Sequence, residues 1–434
     1  MQRNYSFLKS LLILSLVLFS ACSTTNNNDP KGPTEVRIEE NSGSFSLYVD
    51  DEPFFIKGAG GQEYLDKLTE YGGNSIRTWG ADNAQEILDA AHEYGIKVTL
   101  GLWVGHERHG FNYNNEEAVQ AQLELFTQYV EQFKDHPALL MWGIGNEMEL
   151  NASNMKVWYA VNDIAKMIKE KDPNHPTMTV VAEISEQKID YLNEQVPDVD
   201  ILGINSYGGL GSIPERVRRF GWEKPYIVTE WGPNGQWEVG KTQWDAPIEQ
   251  TSSEKASVYQ ERYENVILED NEMCLGSYVF LWGQKQEATP TWYGLFLDTG
   301  EETPAVDVMH YEWSGEWPEN QAPEVNNIRI NGRSANQNVR MEIDKVGSAS
   351  VEASDPDNDE LTFEFVVAYE STSNSVGGDP EDRPGEIPGL IISSDVDGNA
   401  SFASPEEPGA YRLFVYIFDG NGNAGTANIP FYVQ

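Results

Sequence analysis

Between residues 54 and 313, short apolar stretches alternate with helical patterns, eight of each. Strands are expected at Phe54–Lys57, Asn74–Thr78, Lys97–Leu102, Leu139–Ile144, Met178–Ala182, Asp200–Asn205, Tyr226–Thr229 and Leu275–Leu281. Helices are expected near 62–71, 83–94, 116–134, 154–170, 185–195, 213–220, 253–269 and 304–313. The segment 83–94 shows the helical logic: Asp82 offers a cap, Ile87, Leu88 and Ala91 recur at helical spacing, and Gly95 ends the run. The strands are apolar on both faces, as in a parallel sheet covered by helices. Eight strand–helix units in succession predict an α/β fold of the closed (β/α)₈ barrel type. A doubly wound open sheet is the alternative. Residues 34–53 alternate polar and apolar side chains around Asn41-Ser42-Gly43, which predicts a hairpin set against the lower end of the barrel. Barrel and hairpin together span 34–313.

Residues 314–322 read as a linker punctuated by Gly and Pro, and 323–434 as all-β. Short strands such as RLFVYIF and NIPFYVQ, set off by Gly/Asn turns, predict a small sandwich. It resembles the immunoglobulin-like and cadherin-like modules appended to many secreted bacterial enzymes. Asp355, Asp357 and Asp359 offer oxygen ligands of the kind Ca²⁺ takes, but the preferred reading is an acidic turn with no metal. At the other end, residues 1–21 carry Arg3 and Lys9 ahead of the apolar run Leu11–Phe19, which is too short to span a bilayer. Cys22 follows Ser20-Ala21, so the segment resembles a lipoprotein signal with Cys22 as the lipidated residue. A plain secretory signal is the alternative. Residues 22–33 would be a flexible tether, and the chain is expected at the outer membrane or cell surface.

The formal net charge of −41 sets Asp and Glu far above Lys and Arg. Nucleic acid is thereby excluded as a partner, since phosphate backbones are held by cations. An anionic membrane is excluded as well, except through a lipid anchor. A neutral polysaccharide or oligosaccharide fits such a surface, and the chain is expected to act as a monomer. Two cysteines, Cys22 and Cys274, leave no disulfide framework.

The chemistry lies at the strand ends, because barrels of this type place their active sites at the C-terminal face. The fourth strand runs LLMWGIGNE and stops on Glu147; the seventh runs PYIVTEWG and stops on Glu230. Two carboxyl groups across one mouth suit glycosidic cleavage, in which one protonates the leaving oxygen while the other meets the anomeric carbon. No Gly-x-Ser-x-Gly elbow, phosphate loop or dinucleotide fingerprint occurs, and no cofactor is expected. His106 to His109 has the wrong spacing for a helical zinc pair.

NE after strand four and TEWG after strand seven resemble clan A of the glycoside hydrolases, over about residues 54–313. The resemblance implies that Glu147 is the general acid/base, Glu230 the nucleophile, and Asn146 the group that binds the sugar 2-hydroxyl. It implies retention of configuration, for which the carboxyl groups stand about 5–5.5 Å apart. It further implies that Arg77 (strand two, NSIRTWG) and Tyr207 (strand six, NSY) contact the nucleophile, and that Trp282 (strand eight, FLWG) lies under the reacting sugar. Each of these three has a plainer reading, as a rim ion pair, a loop packing residue and a core residue. Trp103 and His106 are expected to line the cleft. Trp237 and Trp244, on the long loop 232–251, are expected either to stack on sugars or to anchor the loop, as are Trp292 and Tyr293. Glu149 and Glu183 are read as structural acids. The layout, a clan A barrel with an immunoglobulin-like module behind it, is similar to the bacterial endo-β-1,3-glucanases of glycoside hydrolase family 158. It implies laminarin as substrate. Another β-glucan or β-mannan hydrolase, a glucanosyltransferase and a non-catalytic glycan-binding lipoprotein are the alternatives. The sandwich would serve as a spacer or as a glycan binder.

Overall fold

The computed structural model of the chain describes residues 33–373 and 375–434. The expected leader, Cys22 and nearly all of the tether lie outside the described residues. Strands β1 (Val36–Asn41) and β2 (Ser44–Val49) form the hairpin, with Asn41 opposite Ser44. Ser42 and Gly43 both have positive φ, 57° and 89°, as a two-residue turn that matches strand twist requires. The short β3 (Glu52–Pro53) completes this sheet. Val36, Leu47 and Val49 share a buried cluster with Ile56, Met141, Met178, Ile201 and Ile227. The hairpin therefore seals the end of the barrel where the strands begin.

The barrel strands are β4 (Ile56–Gly60), β5 (Ser75–Arg77), β6 (Lys97–Leu102), β7 (Leu139–Asn146), β8 (Thr177–Ala182), β9 (Ile201–Asn205), β10 (Tyr226–Trp231) and β11 (Cys274–Val279). They close in sequence order, with β11 paired to β4, and every pairing is parallel. Their residues are almost wholly buried, the consequence of apolar side chains on both faces. The first strand runs later than its apolar residues indicate, through Gly58-Ala59-Gly60. These small residues make room for aromatic rings from neighbouring strands: a Cβ on Gly58 would lie 2.4 Å from the Tyr278 ring. Tyr278 in turn shares its hydroxyl with Ser75 and Thr99 inside the barrel.

The helices are α1 (Leu65–Glu70), α2 (Ala84–Glu93), α3 (Glu116–Phe133), α4 (Val157–Lys171), α5 (Glu186–Gln195), α6 (Ile213–Arg219), α7 (Ser252–Arg262) and α8 (Pro304–Ser314). On α3 the buried side chains Gln122, Phe126, Val130 and Phe133 form one stripe, and Asn115 caps the first turn by accepting from the Ala118 amide. Thr251 and Glu254 form a reciprocal capping box on α7. Helix α2 begins differently from expectation: Asn83, in a left-handed conformation, occupies the N-cap without a side-chain bond. Helix α7 ends at Arg262 and passes into a π-helical turn, Tyr263–Ile267.

The sandwich holds β12 (Glu324–Ile330), β13 (Arg340–Met341), β14 (Val346–Ser354), β15 (Thr362–Tyr369), β16 (Ile391–Ser394), β17 (Asn399–Ala403), β18 (Gly409–Phe418) and β19 (Ala424–Val433). They make two four-stranded sheets, ordered β12-β14-β17-β16 and β13-β19-β18-β15. The sheets bury Val325, Ile330 and Phe402 against Val367, Leu413, Ile429 and Phe431. Polar groups join the sandwich to the barrel. The Val325 and Thr426 amides donate to Ser253 Oγ (2.7 Å) and Ser252 Oγ (2.9 Å) at the start of α7. Asn428 donates to buried Glu249 at 2.6 Å, and Arg412 reaches the Pro247 carbonyl at 2.8 Å while pairing with Glu370 at 2.7 Å. Each buried charge thus has a partner, the condition under which such groups are tolerated.

Candidate active site

Strand β7 leaves the barrel through two left-handed residues, Gly145 (φ 72°) and Glu147 (φ 50°). For a glutamate this conformation costs roughly 1–2 kcal/mol, and such strain collects at functional positions. Gly145 suits this left-handed position, and a Cβ there would also press on Met148, 2.1 Å from Sδ. The turn aims the Glu147 carboxyl into the mouth and is fixed by the Glu147 amide, which donates to Val180 O at 3.0 Å. Three strands away, β10 delivers Glu230 to the same rim, in line with Asn205 at the end of β9.

Glu230 accepts three hydrogen bonds. Arg77 Nη1 (3.0 Å) and Trp79 Nε1 (2.8 Å) donate to Oε1, and the Tyr207 hydroxyl donates to Oε2 at 3.4 Å. Arg77 and Glu230 form a buried ion pair. The other arm of Arg77, Nη2, donates to Asn146 Oδ1 at 2.7 Å. Asn205 Nδ2 bridges that same oxygen (3.1 Å) and Glu147 Oε1 (2.8 Å). One unbroken chain of hydrogen bonds therefore runs from Glu230 through Arg77, Asn146 and Asn205 to Glu147. Burial, and then the negative charge of Glu230, push the Glu147 carboxyl from 4.5 up to about 8. It is protonated at neutral pH, with Asn205 on Oε1 and Oε2 turned to the cleft. Burial also raises the Tyr207 phenol well above its ordinary value, so it stays a donor to Glu230.

Two cavities meet at Glu230. The first, about 380 Å³, is lined by Glu147, Glu183, Asn205, Tyr207 and Trp237 among others, and the second, about 320 Å³, by Trp79, Trp103, Asn146, Gln284 and Lys285. Both are bordered by Phe280. Of the residues singled out in the sequence, Glu147, Glu230, Asn146, Arg77 and Tyr207 come together, and Trp103 and Trp237 face the cavities. Trp237 is 59% exposed and stands edge-on to Tyr207.

Three placements differ from expectation. Trp282 lies behind the wall: it is 1% exposed, packs on Phe296 and Trp313, and donates to Tyr64 O. The aromatic beside Glu230 is Trp79, and Phe280, the first residue past the end of β11, borders the cleft in place of Trp282. Trp244 points to the sandwich, against Tyr432 and under Arg340. His106 is 1% exposed and sits under the cleft, where Nε2–H donates to Asn146 O at 2.7 Å. Burial lowers its imidazole to about 4, so the ring is neutral and orients Asn146. Trp292 and Tyr293 anchor the 232–251 loop through Asn234 O (3.0 Å) and Gln236 Oε1 (2.6 Å). Glu149 is taken up by the Ala182 amide and Lys188, while Glu183 lines the first cavity beside Arg216.

Sequence reasoning passed over Trp79 and Asn205, although both lie within motifs it used, RTWG and NSY. It also passed over Glu238, Glu287 and the sandwich segment Ser375–Gly378, all of which line the first cavity. The acidic turn brings Asp355, Asp359 and Asp419 oxygens within 4.8 Å of one another, an arrangement able to hold a divalent cation. Asp357 instead accepts from the Gln321 amide.

Residues 63–298 match the family model described as glycosyl hydrolases family 2, TIM barrel domain. A β-glucuronidase of Paenibacillus borealis is 24% identical over 323 residues, covering 62% of this chain and 51% of that protein. The Sus scrofa β-glucuronidase is 26% identical over 199 residues, covering 41% of this chain and 28% of its own length. The chain thus spans about half, or less, of these curated relatives. Among solved structures, a β-D-glucuronidase of Dictyoglomus thermophilum superposes with a TM-score of 0.51 at 19% identity, covering 66% of this chain and 54% of that one. A β-galacturonidase of Eisenbergiella tayi gives 0.51 at 18%, covering 65% and 54%. At such identities these structures speak for the fold. The clan A barrel expected from the strand-end glutamates is borne out, whereas the matching model is that of family 2 and not of family 158. Because that model covers more than half of the sequence, the chain belongs to the glycosyl hydrolases of family 2, through their TIM-barrel domain.

Proposed function

We propose that the chain is a retaining β-glycosidase that cleaves a neutral β-glucan, with Glu147 as acid/base and Glu230 as nucleophile. The observation that carries this reading is the unlike state of two carboxyl groups on one rim. Glu147 is held protonated by burial, and Glu230 accepts from three donors, one of them a guanidinium. In the first step Glu230 attacks the anomeric carbon while Glu147 gives its proton to the leaving oxygen. The glycosyl ester that forms has no charge on Glu230, so the repulsion that raised Glu147 is relieved. Glu147 can then accept a proton from water, and its attack releases the sugar with configuration retained. A sugar hydroxyl in place of that water would give transglycosylation.

The relatives' names suggest a uronic acid, but the charge around this cleft favours a neutral sugar. Besides the protonated Glu147, the first cavity is lined by Glu183, Glu230, Glu238 and Glu287. Among the described lining residues of the two cavities Lys285 is the one cation, and it is bound to Glu287 (2.8 Å) and Gly378 O (2.7 Å). Two like charges 4 Å apart near a protein surface repel by about 4 kcal/mol, which would oppose a uronate there. Space on both sides of Glu230 suits an oligosaccharide, and β-1,3-glucan is the first substrate to try. The test is reducing-end release from laminarin and other β-glucans, alongside 4-nitrophenyl β-glucoside and β-glucuronide. No release from any of them would reject the enzyme reading, and faster cleavage of the glucuronide would reject the neutral substrate. Attachment to a membrane through Cys22 belongs to the same proposal; loss of membrane association in Cys22→Ala would support it, and unchanged association would count against it.

A further inference from the structure

We propose that the C-terminal sandwich is part of the substrate cleft: its segment Ser375–Asp379 roofs the bond to be cut and limits which sugars fit on either side. This rests on the reading of the cleft as a glycosidase site.

The segment belongs to the long connection between β15 and β16. Gly377 and Gly378 border both cavities, so they lie over the junction at Glu230. Both are left-handed, φ 62° and 72°, a conformation natural to glycine. The fit is close. A Cβ on Gly377 would lie 2.9 Å from Arg108 Nη2, 3.1 Å from Glu147 Oε2 and 3.2 Å from Leu150 Cδ1. The glycine therefore sits against the oxygen of Glu147 that Asn205 leaves free, the one that must carry the proton to the leaving group. Gly378 is equally close to Lys285, whose Nζ would be 2.9 Å from an added Cβ.

Barrel loops grip the segment from two sides. After β6, His109 Nε2 lies 3.0 Å from both Asp379 carboxylate oxygens, and Arg108 Nη2 lies 3.5 Å from Oδ1. Arg108 also donates to the Glu147 carbonyl at 3.2 Å, which ties the roof to the acid/base. After β11, Lys285 donates to Gly378 O at 2.7 Å and the Ala288 amide to Glu381 Oε2 at 2.8 Å. Glu381 Oε1 in turn accepts from Ser375 Oγ at 2.7 Å. A spacer or a detached glycan-binding module would need none of these contacts. A wall that admits a sugar beneath it needs all of them, together with the absence of side chains at its tip.

The test uses the full chain. Calorimetric binding of laminaritriose is measured in a Glu230→Gln background, with Gly377→Val, Asp379→Ala or Val396→Ala added. Val396 is an exposed sandwich residue, 70% accessible, in the β16–β17 turn, and lines neither cavity. Gly377→Val is expected to weaken binding by about tenfold or more, the effect of forcing methyl groups into a filled space. Asp379→Ala should weaken it several-fold through loss of the anchor, and Val396→Ala should leave it unchanged. Melting temperatures identify a variant that fails to fold, and Asp379→Ala then carries the test, since its site is half-exposed. A parent that binds no laminaritriose, or Gly377→Val and Asp379→Ala chains that bind as the parent does, would overturn the proposal. Binding lost in Gly377→Val while the wild-type chain hydrolyses no glycoside would reject the enzyme reading and leave the roof standing.

Discussion

Glu147→Gln should abolish most hydrolysis and, at the same time, stabilise the folded chain in alkaline solution. Glu147 titrates at 4.5 when unconstrained and at about 8 in the fold. Each pH unit between those values is worth 1.36 kcal/mol, so ionisation in the native site is disfavoured by on the order of 5 kcal/mol. The sign follows from proton counting. Between the two values the folded chain holds a proton that the unfolded chain has released, so stability falls as pH rises through this window. Wild-type chain should lose on the order of 4 kcal/mol from this one residue between about pH 5 and pH 8.5. Glutamine keeps the shape and still accepts from Asn205, but has nothing to titrate.

The assay is urea unfolding of wild-type and Glu147→Gln chains at pH 5, 7 and 8.5, with the difference in unfolding free energy taken at each pH. Other raised carboxyls, such as buried Asp307 at about 8, act alike in both chains and cancel. The difference should be small at pH 5 and grow in favour of glutamine toward pH 8.5. Parallel curves, within about 1 kcal/mol across the range, would refute the claim that burial and Glu230 hold the proton on Glu147, given the errors of such extrapolations. In the proposed mechanism this proton goes to the leaving group, so wild-type kcat/KM should fall on the alkaline side near pH 8.

Glu230→Ala should abolish turnover, and azide should restore part of it by attacking from the vacated face; product analysis would show the glycosyl azide. Glu147→Ala should harm substrates with poor leaving groups far more than activated aryl glycosides, and equal losses on both would contradict the acid role. Arg412→Ala, by stranding Glu370 at the barrel–sandwich junction, should cost about 3–5 kcal/mol, read as a lower urea midpoint.

What could be read in the sequence followed from local periodicity. The strands were legible because residues such as Leu139–Ile144 are apolar on both faces, and the paired glutamates because Asn146-Glu147 and Glu230 interrupt that pattern where a barrel places its chemistry. Side-chain direction was less legible. Trp282 and Phe280 stand two residues apart, a spacing that strand alternation would put on one side; the chain has left β11 by Val279, and Phe280 borders the cleft while Trp282 joins Trp313 in the outer layer. Trp79 and Asn205 were within reach of the same reasoning, since each is one or two residues from a residue that was used. His106 reads as a cleft residue from its place after strand three. Its burial under Asn146 comes from how that loop folds back, which has no period.

The roof was illegible for a stronger reason. The partners that define it, Arg108 and Asp379, stand 271 residues apart, and nothing in the run VGGDPEDRPGE announces a catalytic neighbour. Its glycines read as turn residues, and its aspartates as more of an acidity that pervades the chain. Only packing shows that a side chain at Gly377 would meet Arg108 Nη2 at 2.9 Å and Glu147 Oε2 at 3.1 Å. A module that looks like an appendage in one dimension thereby becomes a wall of the cleft in three. Specificity in such a chain would depend on the docking of its two domains: Asn428 on Glu249 and Arg412 on the Pro247 carbonyl hold the sandwich in register with the barrel. Substitutions at that junction, remote from any sugar, should then alter substrate preference along with stability, because they move the roof and leave the two glutamates where β7 and β10 put them.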